Sequence, residues 1–241
     1  MIKKGVILAG GTGSRLAPMT KVTNKHLLPV YNKPMIYYPI DTLKKSGVTE
    51  LLIITGTESA GDFMKLLGSG DELGVHITFR VQEGTAGIAD ALKLAENFVG
   101  NENFAVILGD NIYEENFKTI IQNFTNGAHI FLQEVEYADR FGVATLNEKN
   151  EVITIVEKPH TPETNFAVTG LYVYDSSVFK KLEIVEVSNR GEYEITDVNQ
   201  MYIDDSQMTA SFLEKGWNDA GTHESLFYAS KLARAMALEA Q

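Results

Sequence analysis

Residues 5–39 read GVILAGGTGSRLAPMTKVTNKHLLPVYNKPMIYYP, and this stretch says most about the fold. The apolar run at residues 6–9 predicts a buried strand, and three glycines follow it: Gly10, Gly11 and Gly13. Glycines after a strand let backbone N–H groups approach a phosphate that a Cβ would obstruct. Arg15 and Lys25 follow and would supply cations for that phosphate. The stretch therefore predicts a nucleotide-binding loop at the start of an α/β fold.

Two familiar nucleotide loops do not fit this stretch. A P-loop needs G-x-x-x-x-G-K-[ST], and no Lys-Ser or Lys-Thr pair follows these glycines at that spacing. The dinucleotide fingerprint G-x-G-x-x-G would start at Gly11, but its third position is Leu16, which argues against a dehydrogenase. A tight turn without a ligand would explain the glycines alone, so the nucleotide hypothesis depends on Arg15 and Lys25.

The composition of the 241 residues limits the class of protein. The length suits one α/β domain with an ample core, there is no cysteine, and no stretch approaches the roughly 18 consecutive apolar residues of a membrane helix. Residues 1–4 lead directly into the first strand, so we expect no signal peptide, no membrane partner and a cytoplasmic location.

The net charge of 21 − 32 = −11 argues against a nucleic-acid partner. Its distribution is uneven, because residues 1–45 hold eight Lys and Arg against Asp41 alone, which gives +7 there and −18 elsewhere. An acidic protein that handles phosphates must gather its cations locally, and the glycine-rich stretch lies in this basic segment.

Apolar strand patterns alternate with helix patterns along the chain. Strands are predicted at 4–9, 50–55, 76–81, 104–108, 128–136, 142–146, 151–157, 166–174 and 208–213. Helices are predicted at 35–46, 59–67, 86–97, 116–125, 175–182, 194–204 and 222–238. Such alternation predicts a Rossmann-like, mostly parallel mixed sheet flanked by helices, in a single domain with two lobes. The glycine loop and residues 108–111 both follow predicted strands, at the edge where α/β sheets bind ligands.

The motifs of residues 5–39 resemble those of the sugar-1-phosphate nucleotidylyltransferases. That family carries L-A-G-G-x-G-[ST]-R-L-x-P-x-T, then K-x-L-L-P-V, then K-P-M-I-Y-Y-P, and every part is present here in order. The resemblance extends from about residue 2 to about residue 230. It implies the nucleotide-diphospho-sugar transferase (GT-A-like) fold, with a nucleotide-binding lobe at 1–110 and a sugar-binding lobe at 111–241. It also implies a homo-oligomer, here without the long C-terminal helical region of longer members.

The reaction that the resemblance implies is thymidylyl transfer from dTTP to α-D-glucose 1-phosphate, with dTDP-glucose and pyrophosphate as products. The attacking phosphate is already an anion, so catalysis should come from positioning and charge rather than from a general base. The resemblance makes Arg15 and Lys25 the catalytic cations, and assigns Mg²⁺ to Asp110 and Asp219. Taken alone, each aspartate would more often cap a following helix.

The resemblance also implies two sets of binding residues. The nucleotide set is Leu8, Gly10, Gly11, Thr12, Gly13, Gln82 and Gly87, in which the Gln82 amide could both donate to and accept from a base edge. The sugar-phosphate set is Asn111, Gly142, Glu157, Lys158, Val168 and Tyr172. Glu157 and Lys158 can reach one ligand only if their strand ends there, which Pro159 favours. Residues 190–198, RGEYEITDV, also match the family, but we expect them to be mostly structural.

Two alternatives remain open at this point. The same chemistry could use UTP or another sugar phosphate. A protein of another class, a non-catalytic nucleotide-sugar sensor, could keep the fold; retention of Arg15, Lys25, Asp110, Asp219 and Lys158 argues against it.

Overall fold

The computed structural model describes residues 1–239. Its strands are β1 (Lys4–Ala9), β2 (Pro29–Val30), β3 (Lys33–Pro34), β4 (Glu50–Gly56), β5 (His76–Gln82), β6 (Phe104–Leu108), β7 (Asn111–Tyr113), β8 (Ala128–Glu134), β9 (Gly142–Leu146), β10 (Val152–Glu157), β11 (Phe166–Tyr174), β12 (Met208–Phe212) and β13 (Trp217–Asp219). Its α-helices are α1 (Tyr37–Lys45), α2 (Ala60–Leu67), α3 (Ile88–Lys93), α4 (Glu96–Val99), α5 (Lys118–Asn123), α6 (Val178–Ile184), α7 (Ile195–Asp204) and α8 (His223–Glu239).

The chain divides into two compact units. Unit 1 contains Met1–Thr85, Ile107–Asn123 and the stretch from Glu214 onward, and unit 2 contains Ala86–Val106 and Phe124–Leu213. Unit 1 is therefore assembled from three separate stretches of chain. The functional lobes at 1–110 and 111–241 stay a prediction.

Parallel strands form the sheet of unit 1. β4 pairs with β1 and with β5, both in parallel, so the three strands end at one edge. The end of β6 lies beside β1, where the Gly109 N–H donates to the Leu8 carbonyl at 2.9 Å. β1 and β4 are buried along nearly their whole length, as apolar runs in a covered parallel sheet should be. β5 alternates between exposed and half-buried residues, as an edge strand does.

The last stretch of unit 1 packs on its earlier part. β13 pairs antiparallel with β7 in a two-stranded ribbon, and α8 follows it. Small residues on α8 allow close packing, and they join one buried cluster: Val30, Met35, Tyr38, Ile112, Ala220, Ala229 and Ala233. This packing fixes the position of β13, which matters for the site described below.

Unit 2 is a mostly antiparallel sheet. β9 pairs antiparallel with β10 and with β11, β11 pairs antiparallel with β8, and β12 adds to β8 in parallel. α7 packs against β10 and β12, and α6 packs against α3 and α7. Stacked aromatic rings at Tyr172, Tyr174 and Tyr202 fill its core.

The α/β class and the mixed sheet flanked by helices are confirmed, as are all nine predicted strands. The predicted helix at 86–97 is instead two helices, because at Leu94 and Ala95 the backbone hydrogen bonds tighten to partners three residues back. Four strands were not predicted (β2, β3, β7 and β13), because strands of two or three residues are too short to show an alternating pattern. Among residues 1–239, every helix falls short of the length and apolar character needed to span a bilayer.

Candidate active site

The glycine loop of unit 1 is packed against the Lys25 side chain. A Cβ added at Gly11 would stand 3.5 Å from Lys25 Cε, and one added at Gly13 would stand 2.9 Å from both Lys25 Cβ and Thr20 Cγ2. Gly13 also has a φ of +67°, a conformation that side chains rarely adopt. Glycine is therefore required at Gly13 by the backbone and by the nearby lysine. The Lys25 side chain runs from Gly13, which lies near its Cβ, to Gly11, which lies near its Cε.

Lys25 and Asp110 form a largely buried ion pair. The ammonium donates to Asp110 Oδ2, and only 13% and 8% of the two side chains are exposed. Asn111 Nδ2 donates to the other carboxylate oxygen at 3.1 Å. Burial alone would raise the pKa of Asp110, but the Lys25 charge and these hydrogen bonds outweigh it and hold that pKa well below its usual range. The carboxylate is therefore ionised at every physiological pH.

The β7–β13 ribbon brings Asp219 next to Asp110. Asp219 is in register with Asn111, and the Ala220 N–H donates to the Asp110 carbonyl at 2.9 Å. The alternative that each aspartate caps a helix is wrong. Asp110 precedes a strand, and α8 is capped instead by Thr222, whose Oγ1 accepts from the Ser225 N–H at 3.2 Å.

The side chains of Arg15 and Asp219 both lie beside Gly221. Arg15 lies in a short 3₁₀ turn, Ser14–Leu16, in which Leu16 is fully buried and anchors the turn. A Cβ added at Gly221 would stand 2.8 Å from Arg15 Nη2 and 2.9 Å from Asp219 Oδ1. Two cations and two carboxylates thus converge in unit 1 around the glycine loop.

Three further predicted nucleotide residues also lie at this edge of the sheet. Gln82 ends β5, and its Oε1 is only 2.6 Å from the position that a Cβ would take at Gly10. Leu8 is buried at the end of β1, and Thr12 is exposed in the loop. The loop, Gln82 and the charged cluster are therefore neighbours, as the sequence analysis expected of a nucleotide site; the binding roles themselves stay predictions.

His26 and Trp217 lie in the same neighbourhood, although neither was among the predicted site residues. The buried His26 ring packs under Gly109, where an added Cβ would stand 2.7 Å from Cδ2, and its Nδ1 lies 2.7 Å from Asn24 Oδ1. Burial lowers the pKa of His26 to about 3, so the ring is neutral. Trp217 Nε1 donates to Asn111 Oδ1 at 2.6 Å.

The carboxylates fit a magnesium ion. Mg²⁺ takes one or two protein carboxylates and completes its octahedron with water and substrate phosphates. Asp110 is kept ionised by Lys25, and Asp219 stands on the adjoining strand. Within residues 1–239 no group of three or more His, Asp and Glu side chains could hold a metal ion, so a site that relies on substrate oxygens is the one this donor set suits.

Unit 2 contains a second polar cluster, centred on Glu157. β10 ends at this residue, and Lys158 follows with a φ of +42°. Glu157 Oε2 accepts from the Thr196 hydroxyl at 2.6 Å, while Oε1 lies 3.1 Å from both Lys158 Nζ and Arg190 Nη1. β10 thus ends at Glu157, as it must if Glu157 and Lys158 are to reach one ligand, and these two side chains form an ion pair.

Other predicted site residues are divided between the units. In unit 2, Gly142 is paired with Glu157, and Val168 and Tyr172 are buried in β11. Gly87, predicted with the nucleotide set, also lies in unit 2, where a Cβ would stand 2.5 Å from the Tyr193 carbonyl oxygen. Asn111, predicted with the sugar set, lies in unit 1 beside Asp110.

Comparison with known proteins identifies close relatives. Residues 4–235 match the family described as nucleotidyl transferase. A glucose-1-phosphate thymidylyltransferase of Neisseria meningitidis is 42% identical over 239 residues, which cover 97% of this chain and 83% of the relative. One of Mycobacterium tuberculosis is 40% identical over 238 residues, again 97% of this chain and 83% of the relative.

Solved structures show the same fold. A Bacillus anthracis protein assigned as a glucose-1-phosphate thymidylyltransferase, crystallised with sucrose, superposes with a TM-score of 0.92 at 50% identity, covering 96% of this chain and 95% of its own. A UDP-glucose pyrophosphorylase in complex with UDP-glucose superposes with a TM-score of 0.85 at 25% identity, covering 98% and 99%.

Proposed function

Because the chain belongs to the nucleotidyl transferase family, we propose that it transfers a thymidylyl group from dTTP to α-D-glucose 1-phosphate, giving dTDP-glucose and pyrophosphate. That it is a nucleotidyltransferase follows from the family and from relatives with about 40% identity over most of the chain. The observation that carries the substrate proposal is the charged cluster of unit 1, where Lys25 lies between the glycine loop and Asp110 and where Arg15 and Asp219 both lie beside Gly221.

In the proposed reaction a phosphate oxygen of glucose 1-phosphate attacks the α-phosphorus of dTTP. The new P–O bond forms as the bond to the β-phosphate breaks, and pyrophosphate leaves with that electron pair. No proton has to be removed from the attacking oxygen. The barrier arises from bringing polyanions together, and Arg15 and Lys25 lower it by neutralising the triphosphate as charge moves onto the leaving group.

Enzymes of this family generally use a divalent metal ion, and we assign Mg²⁺ to this one. Asp110 and Asp219 would hold it. When bound, the cation supplies further neutralisation among the phosphates. Lys25 has a second role in this scheme, because its charge keeps the buried Asp110 ionised and ready to ligate a cation.

We assign recognition of the thymine base to Gln82 and recognition of the sugar phosphate to Glu157 and Lys158. Gln82, next to Gly10, would pair its amide with the thymine edge. Glu157 would accept from sugar hydroxyls, and Lys158 would pair with the sugar phosphate. The product dTDP-glucose would enter the synthesis of activated deoxysugars of the dTDP-rhamnose type. A homo-oligomer and a cytoplasmic location stay predictions from the sequence.

A second candidate is the same reaction with UTP, which the likeness to UDP-glucose pyrophosphorylase favours. The test is pyrophosphate release with glucose 1-phosphate and Mg²⁺, with dTTP, UTP, CTP, ATP and GTP compared in parallel. We expect a clear preference for dTTP and formation of dTDP-glucose. Equal or faster turnover with UTP would support the second candidate. No pyrophosphate release with any of the five nucleotides, whether with glucose 1-phosphate or with other sugar phosphates, would overturn both.

A further inference from the structure

The short turn that carries Arg15 is held by a side-chain hydrogen bond on each side. Before the turn, the Gly13 carbonyl accepts from the Thr20 hydroxyl at 2.9 Å. After the turn, the Ala17 carbonyl oxygen lies 3.0 Å from Nε2 of His223, a residue 206 positions further along the chain. A carbonyl oxygen can only accept, so His223 Nε2 carries the proton and donates it. The turn is therefore tied to the final stretch of unit 1.

His223 is itself held in a fixed place, because it is the first residue of α8. The Thr222 N–H donates to Ser225 Oγ at 3.0 Å, and the Ser225 N–H donates to Thr222 Oγ1 at 3.2 Å. This reciprocal pair fixes the first turn of the helix. Further along, Ala229 and Ala233 pack α8 into the buried cluster described above. The imidazole is thus mounted on an element whose backbone has little freedom.

The same start of α8 lies beside the Arg15 side chain. A Cβ added at Gly221, two residues before His223, would stand 2.8 Å from Arg15 Nη2 and 2.9 Å from Asp219 Oδ1. The final stretch therefore borders the Arg15 turn twice, at the guanidinium and at the Ala17 carbonyl. The carbonyl contact is the one that a side chain makes, so it can be removed by substitution.

A contribution to stability does not account for the contact between His223 and Ala17. Both residues are exposed, so water competes for the same hydrogen bond and its net contribution to folding is small. The fully buried Leu16 already anchors the turn. Arg15, by contrast, is exposed on a turn of three residues, which by itself constrains a long side chain weakly. What the contact adds is therefore a fixed position for Arg15.

We propose that His223 is a positioning residue, which fixes Arg15 relative to Asp219 by holding the Ala17 carbonyl. The inference rests on the proposed role of Arg15 toward the triphosphate. A cation that is already in place lowers the barrier more than one that must be ordered as charge moves onto the leaving group. His223 need not touch either substrate to have this effect.

Three variants separate positioning from other roles. His223→Ala removes the donor, whereas His223→Gln keeps an N–H donor at a similar distance from the backbone. His76→Ala is the matched control, because His76 is another exposed histidine of unit 1 and its Nδ1 lies 4.0 Å from Asp71 Oδ1. For His223→Ala we expect kcat/KM for dTTP to fall about tenfold, the effect of about one hydrogen bond.

The other measured quantities should change little in His223→Ala. The KM for glucose 1-phosphate should stay within about twofold, and the melting temperature within about 2 °C, as for an exposed substitution. His223→Gln should recover most of the loss, and His76→Ala should resemble the wild type. A wild-type kcat/KM in His223→Ala, no recovery in His223→Gln, or the same loss in His76→Ala would overturn the inference.

A double-mutant cycle tests whether His223 acts through Arg15. In an Arg15→Ala background, the change His223→Ala should lower kcat/KM for dTTP by less than about twofold further, because the side chain that it positions is already gone. A further tenfold loss would show that His223 acts independently of Arg15 and would overturn the inference.

Calorimetric binding of dTTP with Mg²⁺, without glucose 1-phosphate, repeats the cycle in the absence of turnover. It decides the matter if the wild type transfers no nucleotide. Weaker dTTP binding in His223→Ala, by about threefold and only where Arg15 is present, would then support this inference while the proposed function is overturned. Equal dTTP binding in the wild type and in His223→Ala would then overturn the inference as well, and so would a wild type that binds no dTTP.

Discussion

Arg15 and Lys25 are both cations of the glycine loop, but they differ in what else depends on them. Lys25 is mostly buried and pairs with a buried carboxylate, whereas Arg15 is exposed and lies in a short turn. Removing Arg15 should therefore affect chemistry alone, and removing Lys25 should affect both chemistry and stability. This contrast separates the two roles by experiment.

Arg15→Ala should lower kcat by about 10²–10³, the usual effect of removing one preorganised charge donor. Its melting temperature should barely change, because the buried anchor of the turn is Leu16. Kinetics and thermal unfolding of the same preparation check this. Lys21→Ala, which removes an exposed lysine from the same segment, is the control. A loss of stability parallel to the loss of activity would make Arg15 a structural residue.

Lys25→Met should reduce the free energy of unfolding at pH 7 by about 3 kcal/mol, because it leaves Asp110 buried without its counter-charge. Chemical denaturation measures the loss. The double variant Lys25→Met/Asp110→Asn should recover most of it, since the remaining amide needs no cation. If the double variant is as unstable as the single one, packing of the lysine chain under the glycine loop is what matters, and the ion pair is not.

At the scale of elements, the turn between β13 and α8 contains Gly221, beside which both Arg15 and Asp219 lie. An alanine at Gly221 would place its methyl group within 3 Å of both side chains, by the distances of 2.8 and 2.9 Å given above. Both neighbours are ends of side chains and can move, so the fold should tolerate the change while the charged cluster does not.

Gly221→Ala should accordingly lower kcat and raise the Mg²⁺ concentration for half-maximal activity, with little change in melting temperature. A magnesium titration at saturating dTTP measures this. Gly61→Ala on α2 is the matched control, because an added Cβ there meets nothing within 4 Å and alanine favours a helix. An unchanged magnesium requirement in Gly221→Ala would remove Asp219 from the metal site.

The helices and strands differ in how well they could be predicted from the sequence. The regular strands and most helices were predictable because they are long enough for their apolar periods to appear. The β7–β13 ribbon was not, since its strands are three residues each, and it is the ribbon that brings Asp110 and Asp219 together. Resemblance pointed to both aspartates, but only the pairing of β7 with β13 explains why residues so far apart in sequence lie side by side. The hydrogen bond from Thr196 to Glu157 was not predicted for a similar reason, because the two residues lie on different elements.

At the scale of the whole molecule, each unit contains a buried neutral histidine. Burial lowers the pKa of His26 in unit 1 to about 3 and that of His129 in unit 2 to about 4. The unfolded chain takes up protons at these residues as the pH falls through about 6.5, while the folded chain does not. The two neutral histidines therefore make their full contribution to the free energy of unfolding above about pH 6.5, and that contribution is lost as the pH falls toward the lowered pKa values.

Between pH 7 and pH 5 the free energy of unfolding should fall by about 2 kcal/mol for each of the two histidines, from 1.36 kcal/mol per unit of pH below 6.5. Denaturation at a series of pH values measures this. His26→Gln and His129→Gln should each reduce the pH dependence, and the double variant should reduce it further. A dependence as steep in the double variant as in the wild type would assign it to other groups.

The three-part construction of unit 1 has a consequence for synthesis on the ribosome. Translation delivers a chain from its N-terminus, and unit 2 is complete once Leu213 has emerged. Unit 1 at that moment still lacks β13 and α8, so Ile112 and its apolar neighbours are uncovered and Asp110 has no Asp219 beside it. The nascent chain can thus carry a folded Glu157 cluster while it still lacks Asp219, so the charged cluster of unit 1 is complete only once β13 has emerged.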